Sequence, residues 1–288
     1  MRVRKMLGLA VAATLLLGTV ACGDDDNGGS VEPKKREFAA GSTMDRLQKA
    51  GKVKVGTKFD QPLFGLKGVS NKVEGFDVEI AKIIAAELGI SEGNIEFVES
   101  VSKNREDFII NGTVDFIVAT YTINDTRKEK VGFAGPYYVA GQDIMVKKGD
   151  TSITGKDSLK GKRVCSATGS TPAKRIQEEI PEAKLTLLAA YSECAEALRN
   201  GQVDAVSTDN VILLGLVEKS PDEFQLVNAP FSSEPYGIGV KKDDKDFRNF
   251  INDVLTAAYG DGRYKTAYDK TLGKVQPTMP APPDVDRY

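Results

Sequence analysis

The chain has 288 residues, 41% of them hydrophobic and 28% charged, a composition that suits about two globular domains. With 39 Lys and Arg against 41 Asp and Glu its formal charge is -2, so it carries no basic footprint for nucleic acid. Histidine is absent, which excludes Ser-His-Asp and Cys-His nucleophile systems, His-ligated metals and imidazole acid–base chemistry in one step. A phosphate-binding loop is excluded too, because "GKDSLKGKR" (155–163) has the wrong glycine spacing and no Ser or Thr after Lys162.

The N-terminus opens with the basic "MRVRK" and an apolar stretch, "MLGLAVAATLLLGTV", too short to span a membrane comfortably. Ala21-Cys22 resembles a bacterial lipobox, with Thr19 where that motif usually has leucine. Residues 1–21 are therefore expected to be a signal peptide and Cys22 the lipidated first residue of an extracytoplasmic, membrane-anchored protein. An ordinary signal peptide with a stray cysteine is the alternative. Residues 22–41, polar and rich in Gly, Asp and Lys, read as a flexible linker. Its Asp24-Asp25-Asp26 run is expected to be solvated linker, with a metal site as the alternative. Outside the cytoplasm two leftover cysteines usually pair, which predicts a Cys165–Cys194 disulfide, with two buried free thiols as the alternative.

A β/α rhythm follows. "KVKVGT" (52–57) alternates as a strand, and "GFDVEIAKIIAAELG" (75–89) sets Val78, Ile80, Ile83, Ile84 and Leu88 on one helical face with Gly89 as a stop. "NIEFVE" is a strand, "REDFIING" a short helix ending at Gly112, and "VDFIVAT" a strand apolar enough to be buried on both faces. Beyond residue 142 the pattern restarts: strand "KRVCSA", helix "TPAKRIQEEI", strand "KLTLLAA", helix "SECAEALRNG", strand "VDAVSTD". "REDFIINGTVDFIVAT" and "CAEALRNGQVDAVSTD" are the same unit twice, helix then Asn-Gly-x-Val-Asp then apolar strand, so two α/β lobes are expected. The extended segments "GPYYVAGQDIMVKK" and "SSEPYGIGVKK" are the two lobe crossings, and the helices of "DFRNFINDVLTAAYGDGRYKTAYDKTLG" return to the first lobe. Lobe 1 is thus expected to comprise 42–140 and 236–275, lobe 2 141–235, and a loose proline-rich tail 276–288. Ligands sit in the cleft between two hinged lobes.

The motifs "VGTKFDQPLFG", "GFDVEIAKIIAAELG", "NGTVDFIVATYTINDTRKEKVGFAGPYY", "ATGSTPAK", "NGQVDAVSTDN" and "YGIGVKKDD" resemble the polar-amino-acid solute-binding proteins of ABC importers (family 3), and among these the actinobacterial glutamate-binding lipoproteins. The resemblance runs from about Leu47 to Gly273. It implies the type II periplasmic-binding-protein fold, an α/β architecture of two lobes joined by two hinge strands and closing on a ligand. It further implies an ABC permease as membrane partner, a monomer, no enzymatic activity and no cofactor.

By the same resemblance Thr120, Thr122 and Arg127 grip a ligand α-carboxylate, a role suited to a guanidinium and two hydroxyls. The alternative for Arg127 is an exposed residue opening the helix "TRKEKVGF". In "ATGSTPAK" Pro172 suits the first helical turn and Thr171 the N-cap, leaving the N–H groups of Ser170 and Thr171 to favour an anion. Asp209 matches the aspartate that receives the α-ammonium; its alternative is a cap for "NVILLGLV". Lys58 stands where relatives that bind glutamine or basic amino acids often carry aspartate. Ser102 and Arg105 match positions holding the distal carboxylate of glutamate or aspartate, and Tyr191 falls in the same region. Three cations, Lys58, Arg105 and Arg127, against Asp209 suit L-glutamate, with two carboxylates and one ammonium, better than glutamine, arginine or lysine; aspartate and glutamine are the alternative ligands. Many relatives sandwich the ligand between aromatic rings; the candidates here are Phe59 and Phe64, with Gln61 where another aromatic often sits, and tryptophan is absent. An enzyme on the same lobes and a sensor docking on a signalling receptor are the competing functional classes.

Overall fold

Two five-stranded sheets of one design organise the structure, a computed structural model that describes residues 32–288. Helix α1 (Thr43–Ala50) precedes β1 (Val53–Thr57), the small antiparallel trio β2 (Asp60–Gln61), β3 (Gly65–Lys67) and β4 (Val73–Glu74), and α2 (Phe76–Glu87). Then come β5 (Ile95–Glu99), α3 (Arg105–Ile110), β6 (Phe116–Thr122), the single turn α4 (Asp125–Lys128) and β7 (Val131–Ala140). The second half contributes β8 (Gln142–Lys147), β9 (Arg163–Ala167), α5 (Thr171–Glu179), β10 (Lys184–Leu188), α6 (Tyr191–Arg199), β11 (Ala205–Asp209), α7 (Asn210–Lys219) and β12 (Phe224–Leu226). β13 (Glu234–Lys241), α8 (Lys245–Asp261) and α9 (Arg263–Lys270) close the order.

The sheets run β5-β1-β6-β13-β7 and β10-β9-β11-β8-β12. In each, three strands are parallel and the next lies antiparallel to them. The chain crosses from the first sheet to the second at Gly141, between β7 and β8, and returns before β13. α8 and α9 pack on α2 and β7, elements of the first half of the chain.

The repeated Asn-Gly-x-Val-Asp does the same work in both lobes. Gly112 and Gly201 turn the chain at φ 70° and 71°, a conformation that carries no Cβ penalty only for glycine. The aspartate that follows then ties the new strand to the first strand of its sheet. Asp115 accepts the Lys54 N–H at 2.9 Å and donates its own to the Lys54 carbonyl at 2.8 Å; Asp204 does both with Arg163 at 2.8 and 2.7 Å. One sequence motif thereby fixes register twice.

α2 is buried on every side rather than along one stripe, because β-sheet, α8 and α9 enclose it. Its glutamates and its lysine are consequently ion-paired. Glu79 meets Lys82 at 2.9 Å and Lys270 at 3.0 Å, and Glu87 meets Lys34 and Arg263 at 2.6 Å each, with Arg36 completing the cluster. Two of those partners correct the expected linker. From Lys34 onward the segment is docked on lobe 1: the Lys34 N–H donates to the Ala86 carbonyl at 2.8 Å, and Phe38 sits edge-on against Phe250 at 5.5 Å. Cys22 and the signal-peptide reading lie outside the described residues.

The tail also departs from expectation. β7 is an edge strand with unpaired backbone groups, and the extended tail bonds to them: Asp286 N–H to the Gly135 carbonyl at 2.8 Å, and Phe133 N–H to the Tyr288 hydroxyl at 2.9 Å. Lys128 and Arg248 each stand 4.1 Å from the centre of the Tyr288 ring.

Cys165 on β9 and Cys194 on α6 form a disulfide across lobe 2, with Cα atoms 5.5 Å apart and a sequence separation of 29. A crosslink over a loop of that length restricts the unfolded chain by about 3–4 kcal/mol in the loop-entropy model. Replacing both cysteines by serine should lower the unfolding free energy by about that amount in urea titration. An unchanged midpoint would show that the bridge does not stabilise the fold.

Candidate functional site

β6 is buried at all seven positions and delivers its C-terminal end to the gap between the sheets, the place where open α/β sheets bind ligands. A small cavity lies there. Lobe 1 lines it with Ser102, Arg105, Thr120 and Thr122. Lobe 2 faces them with Ser170, Thr171, Pro172, Tyr191, Asp209 and Ile212. Eight of the ten ligand-binding residues expected from sequence therefore line one hollow; Lys58 and Arg127 stand just behind it.

Thr120 sits at φ 43°, an uncommon conformation for a β-branched residue. Two bonds hold it there. Its N–H donates to Asp77 Oδ2 at 2.8 Å, and its hydroxyl has Gln61 Oε1 at 3.0 Å and the Ala119 carbonyl at 2.9 Å as acceptors. Asp77 also accepts from the Tyr137 hydroxyl at 2.5 Å, and burial pushes its carboxyl up to about 7.

The cations behind and beside Thr120 are buried. Arg105 donates from Nη1 to the carbonyls of Ala119 (3.0 Å) and Thr120 (3.3 Å) and from Nε to that of Ser102 (3.3 Å), with its guanidinium 4.2 Å over the Tyr121 ring. Lys58, 3% exposed, donates from Nζ to Ser102 Oγ at 2.9 Å. Burial first, then the neighbouring Arg105 charge, lowers Lys58 to about 7; burial and the Arg127 charge lower Arg105 to about 10. Among the described residues neither cation is paired with a carboxylate.

Arg127 differs. Its Nε lies 3.2 Å from Glu106, Nη1 donates to the Thr122 carbonyl at 2.7 Å, and Nη2 reaches across the cleft to the Gly169 carbonyl at 3.2 Å. It is buried, not the exposed opener of a long helix, and the helix it belongs to is the single turn α4.

In lobe 2 the helix cap lies one residue earlier than expected. Ser170, not Thr171, caps α5 by accepting the Ala173 N–H at 3.1 Å, because its extended backbone lets the hydroxyl fold over the first turn. Ser170's own N–H donates to the Ala167 carbonyl at 3.2 Å, so the amide that α5 cannot satisfy internally is that of Thr171. The Thr171 hydroxyl stands 2.9 Å from Glu234, which is fully buried and ion-paired with Arg175 at 2.9 Å. Asp209 occupies the cap position of α7 but caps nothing there. Oδ2 accepts from the Tyr236 hydroxyl at 2.6 Å, and Oδ1 is buried with no partner. Burial and the nearby Glu234 charge raise its carboxyl to about 7. Burial and Asp209 push the Tyr191 hydroxyl up to about 12.

Neither aromatic candidate reaches the cavity. Phe64 is wholly inside the lobe 1 core, edge-on to Phe76 and Tyr236, and Phe59 carries Lys67 over its ring at 5.2 Å. Pro172, Tyr191 and Ile212 supply the apolar wall instead. Sequence reading also passed over Asp77, Glu106, Glu234 and Tyr236, the groups that hold the lining residues in place. "GFD" and "SSEPY" signalled three of them, as an acid and a Glu-Pro-Tyr where a helix or strand begins. Among the described residues no group of three or more acidic or cysteine side chains could hold a metal ion.

A family model for bacterial extracellular solute-binding proteins, family 3, matches residues 53–274. The glutamate-binding protein GluB of Corynebacterium glutamicum is 38% identical over 280 residues, covering 93% of this chain and 90% of that protein. The ABC transporter glutamine-binding protein GlnH of Bacillus subtilis is 38% identical over 273 residues, covering 93% and 97%. Among solved structures, the solute receptor for L-cysteine of Neisseria gonorrhoeae superposes with a TM-score of 0.78 at 31% identity, covering 83% of this chain and 98% of that one.

The buried charges make stability depend on pH with a sign that can be worked out. Asp77 and Asp209, raised from 3.8 to about 7, keep protons in the folded protein that the unfolded chain has lost, so their contribution falls from about pH 4 to 7. Lys58, lowered from 10.5 to about 7, does the reverse, and its contribution rises from about pH 7 to 10. Thermal melts of the ligand-free protein should therefore rise over that upper window, and Lys58→Met should remove the rise. A rise of equal size in the variant would exclude Lys58 as its source.

Proposed function

The chain belongs to the bacterial extracellular solute-binding proteins, family 3, and we propose that it captures L-glutamate outside the cytoplasm and delivers it to an ABC permease. One observation carries this reading. At one end of the cavity Arg105, with Lys58 just behind the lining, is buried without a carboxylate, and at the other a buried carboxylate oxygen has no donor. Buried charges and polar atoms are normally paired, so the missing groups are an anion and an ammonium held a few bonds apart.

L-glutamate has both, and a second carboxylate besides. Its ammonium fits Asp209 Oδ1. Its α-carboxylate fits Thr122, the Thr171 N–H and the Arg127 guanidinium, where a carboxylate oxygen would replace the Gly169 carbonyl on Nη2. Its distal carboxylate fits Ser102, Lys58 and Arg105, with Ser170 and Tyr191 closing the wall. Thr120 contributes mainly through its carbonyl and strained backbone. Relatives named for glutamate, glutamine and cysteine share the fold, so the ligand is argued from Lys58 and Arg105 rather than from kinship. Glutamine would leave a buried cation unanswered, a loss of about 2–4 kcal/mol or roughly 30- to 1000-fold. Binding and release require no reacting group, and the cleft carboxylate is already held by Tyr236 and committed to an ammonium. Tethering through a lipidated Cys22 belongs to the same reading; mass spectrometry of protein taken from its membrane tests it.

Calorimetric titration of ligand-free protein should rank glutamate above glutamine. Arg105→Ala or Lys58→Met should weaken glutamate by roughly 30- to 1000-fold and glutamine far less; equal losses, or a preference for arginine or lysine, would overturn the assignment. The ranking should also depend on pH. A distal carboxylate beside Lys58 raises its low pKa, so glutamate binding takes up a proton and weakens as pH rises above about 7. Glutamine lacks that group, and its affinity should stay flat over the same range.

A further inference from the structure

The loop that carries Lys58 runs on into β2, and β2 contacts α6 and α7 of the opposite lobe. Asp60 Oδ2 accepts the backbone N–H groups of Tyr191 (3.0 Å) and Ser192 (3.3 Å), the first two residues of α6. A helix leaves such amides unpaired and normally closes them with its own cap residue. α6 has Ala190 there, which offers no oxygen. Glu193 turns back to the N–H groups of Ala189 and Ala190 and leaves the next two amides open. A helix of lobe 2 is thus capped by a carboxylate of lobe 1.

Two residues further along the same loop, Pro62 presses its carbonyl onto α7. A Cβ built on Gly215 would stand 2.4 Å from the Pro62 oxygen and 3.0 Å from its carbonyl carbon, so a side chain there displaces backbone. Gly215 lies within α7 and in ordinary helical backbone, where alanine is the better helix former. Its absent side chain is accounted for by the neighbouring lobe, not by its own helix.

We propose that Asp60 and Gly215 form a closure latch, two positioning residues that set how readily the lobes meet and hence the affinity for any ligand, without touching that ligand. The latch rests on the interlobe cavity being the ligand site and is independent of which amino acid fills it. Apparent affinity scales with the fraction of protein in the closed, binding-competent state. Loss of one helix cap corresponds to about 5-fold in that equilibrium, and a backbone clash at Gly215 to roughly 10-fold or more.

Two measurements on the full chain test this. Calorimetry of Asp60→Ala and Gly215→Ala should weaken L-glutamate and L-glutamine by the same factor, about 5-fold and roughly 10-fold, with no change in their ratio. Ala190→Ser, which gives α6 a cap of its own and leaves Asp60 intact, should weaken both ligands in the same direction without lowering the melting temperature. Hydrogen exchange in ligand-free protein should quicken at the Tyr191 and Ser192 amides in Asp60→Ala and also in Gly215→Ala, which is remote from those amides and acts only through lobe separation. Unchanged exchange and unchanged affinity in both variants overturn the latch, and a changed ratio of the two ligands would make Asp60 a ligand reader instead. If the parent protein binds neither amino acid, the glutamate reading fails while the exchange data still decide the latch.

Discussion

Everything in this molecule depends on keeping Lys58 and Arg105 charged, or ready to be charged, where water is scarce. A bare cation moved into protein interior loses several kcal/mol of hydration. Lobe 1 offsets part of that with oxygens it already owns. The end of β6 turns two carbonyls toward Arg105, the strand's Tyr121 lies flat beneath the guanidinium, and Ser102 meets the ammonium. None of these is a carboxylate, so the field of the pair stays unneutralised and open to an anionic guest.

The doubled architecture divides the labour by charge. Both lobes are the same sheet with the same Asn-Gly-x-Val-Asp anchor, yet the groups they bring to the gap differ. Lobe 1 supplies the cations, and lobe 2 supplies hydroxyls, an unsatisfied helix amide and Asp209. Glu234 then ties the second set to the returning strand: it holds Arg175 and Thr171 of α5 while sitting at the start of β13. A movement of α5 against that strand would have to break a partly buried ion pair.

Local pattern made the frame legible and left its fastening hidden. Strand alternation, helix periodicity and the repeated motif are properties of short windows, and the elements they predict exist close to the predicted bounds. The cysteine pair needed only counting. Asp77 beneath Thr120, Glu106 behind Arg127 and Tyr236 against Asp209 join residues 43, 21 and 27 positions apart in the chain, and no period in the sequence encodes such pairs. Ser170 and Thr171 are equally good caps by residue type, and backbone angle chose between them. The aromatic candidates failed for a related reason. Phe64 matched the first loop in type, but the lobe 1 core had three other rings, Phe76, Tyr138 and Tyr236, to offer it. The proline-rich tail carries no pattern and so reads as loose, whereas an edge strand elsewhere in the chain has bonds waiting for it.

The lining residues share a habit that explains how a polar cavity can be both rigid and receptive. Each commits part of its hydrogen-bonding capacity to the scaffold and retains the rest. Asp209 gives Oδ2 to Tyr236 and keeps Oδ1; Arg105 commits Nε and Nη1 and keeps Nη2; Thr171 turns its hydroxyl to Glu234 and keeps its amide. The committed half fixes each group before a ligand arrives, so less conformational freedom is lost on binding. Arg127 is the exception, since all three of its nitrogens are engaged. Two of those bonds lie within lobe 1, and the third, to the Gly169 carbonyl, spans the gap. Lobe opening itself releases that third bond, which leaves Arg127 free to meet a carboxylate just when the cleft can admit one.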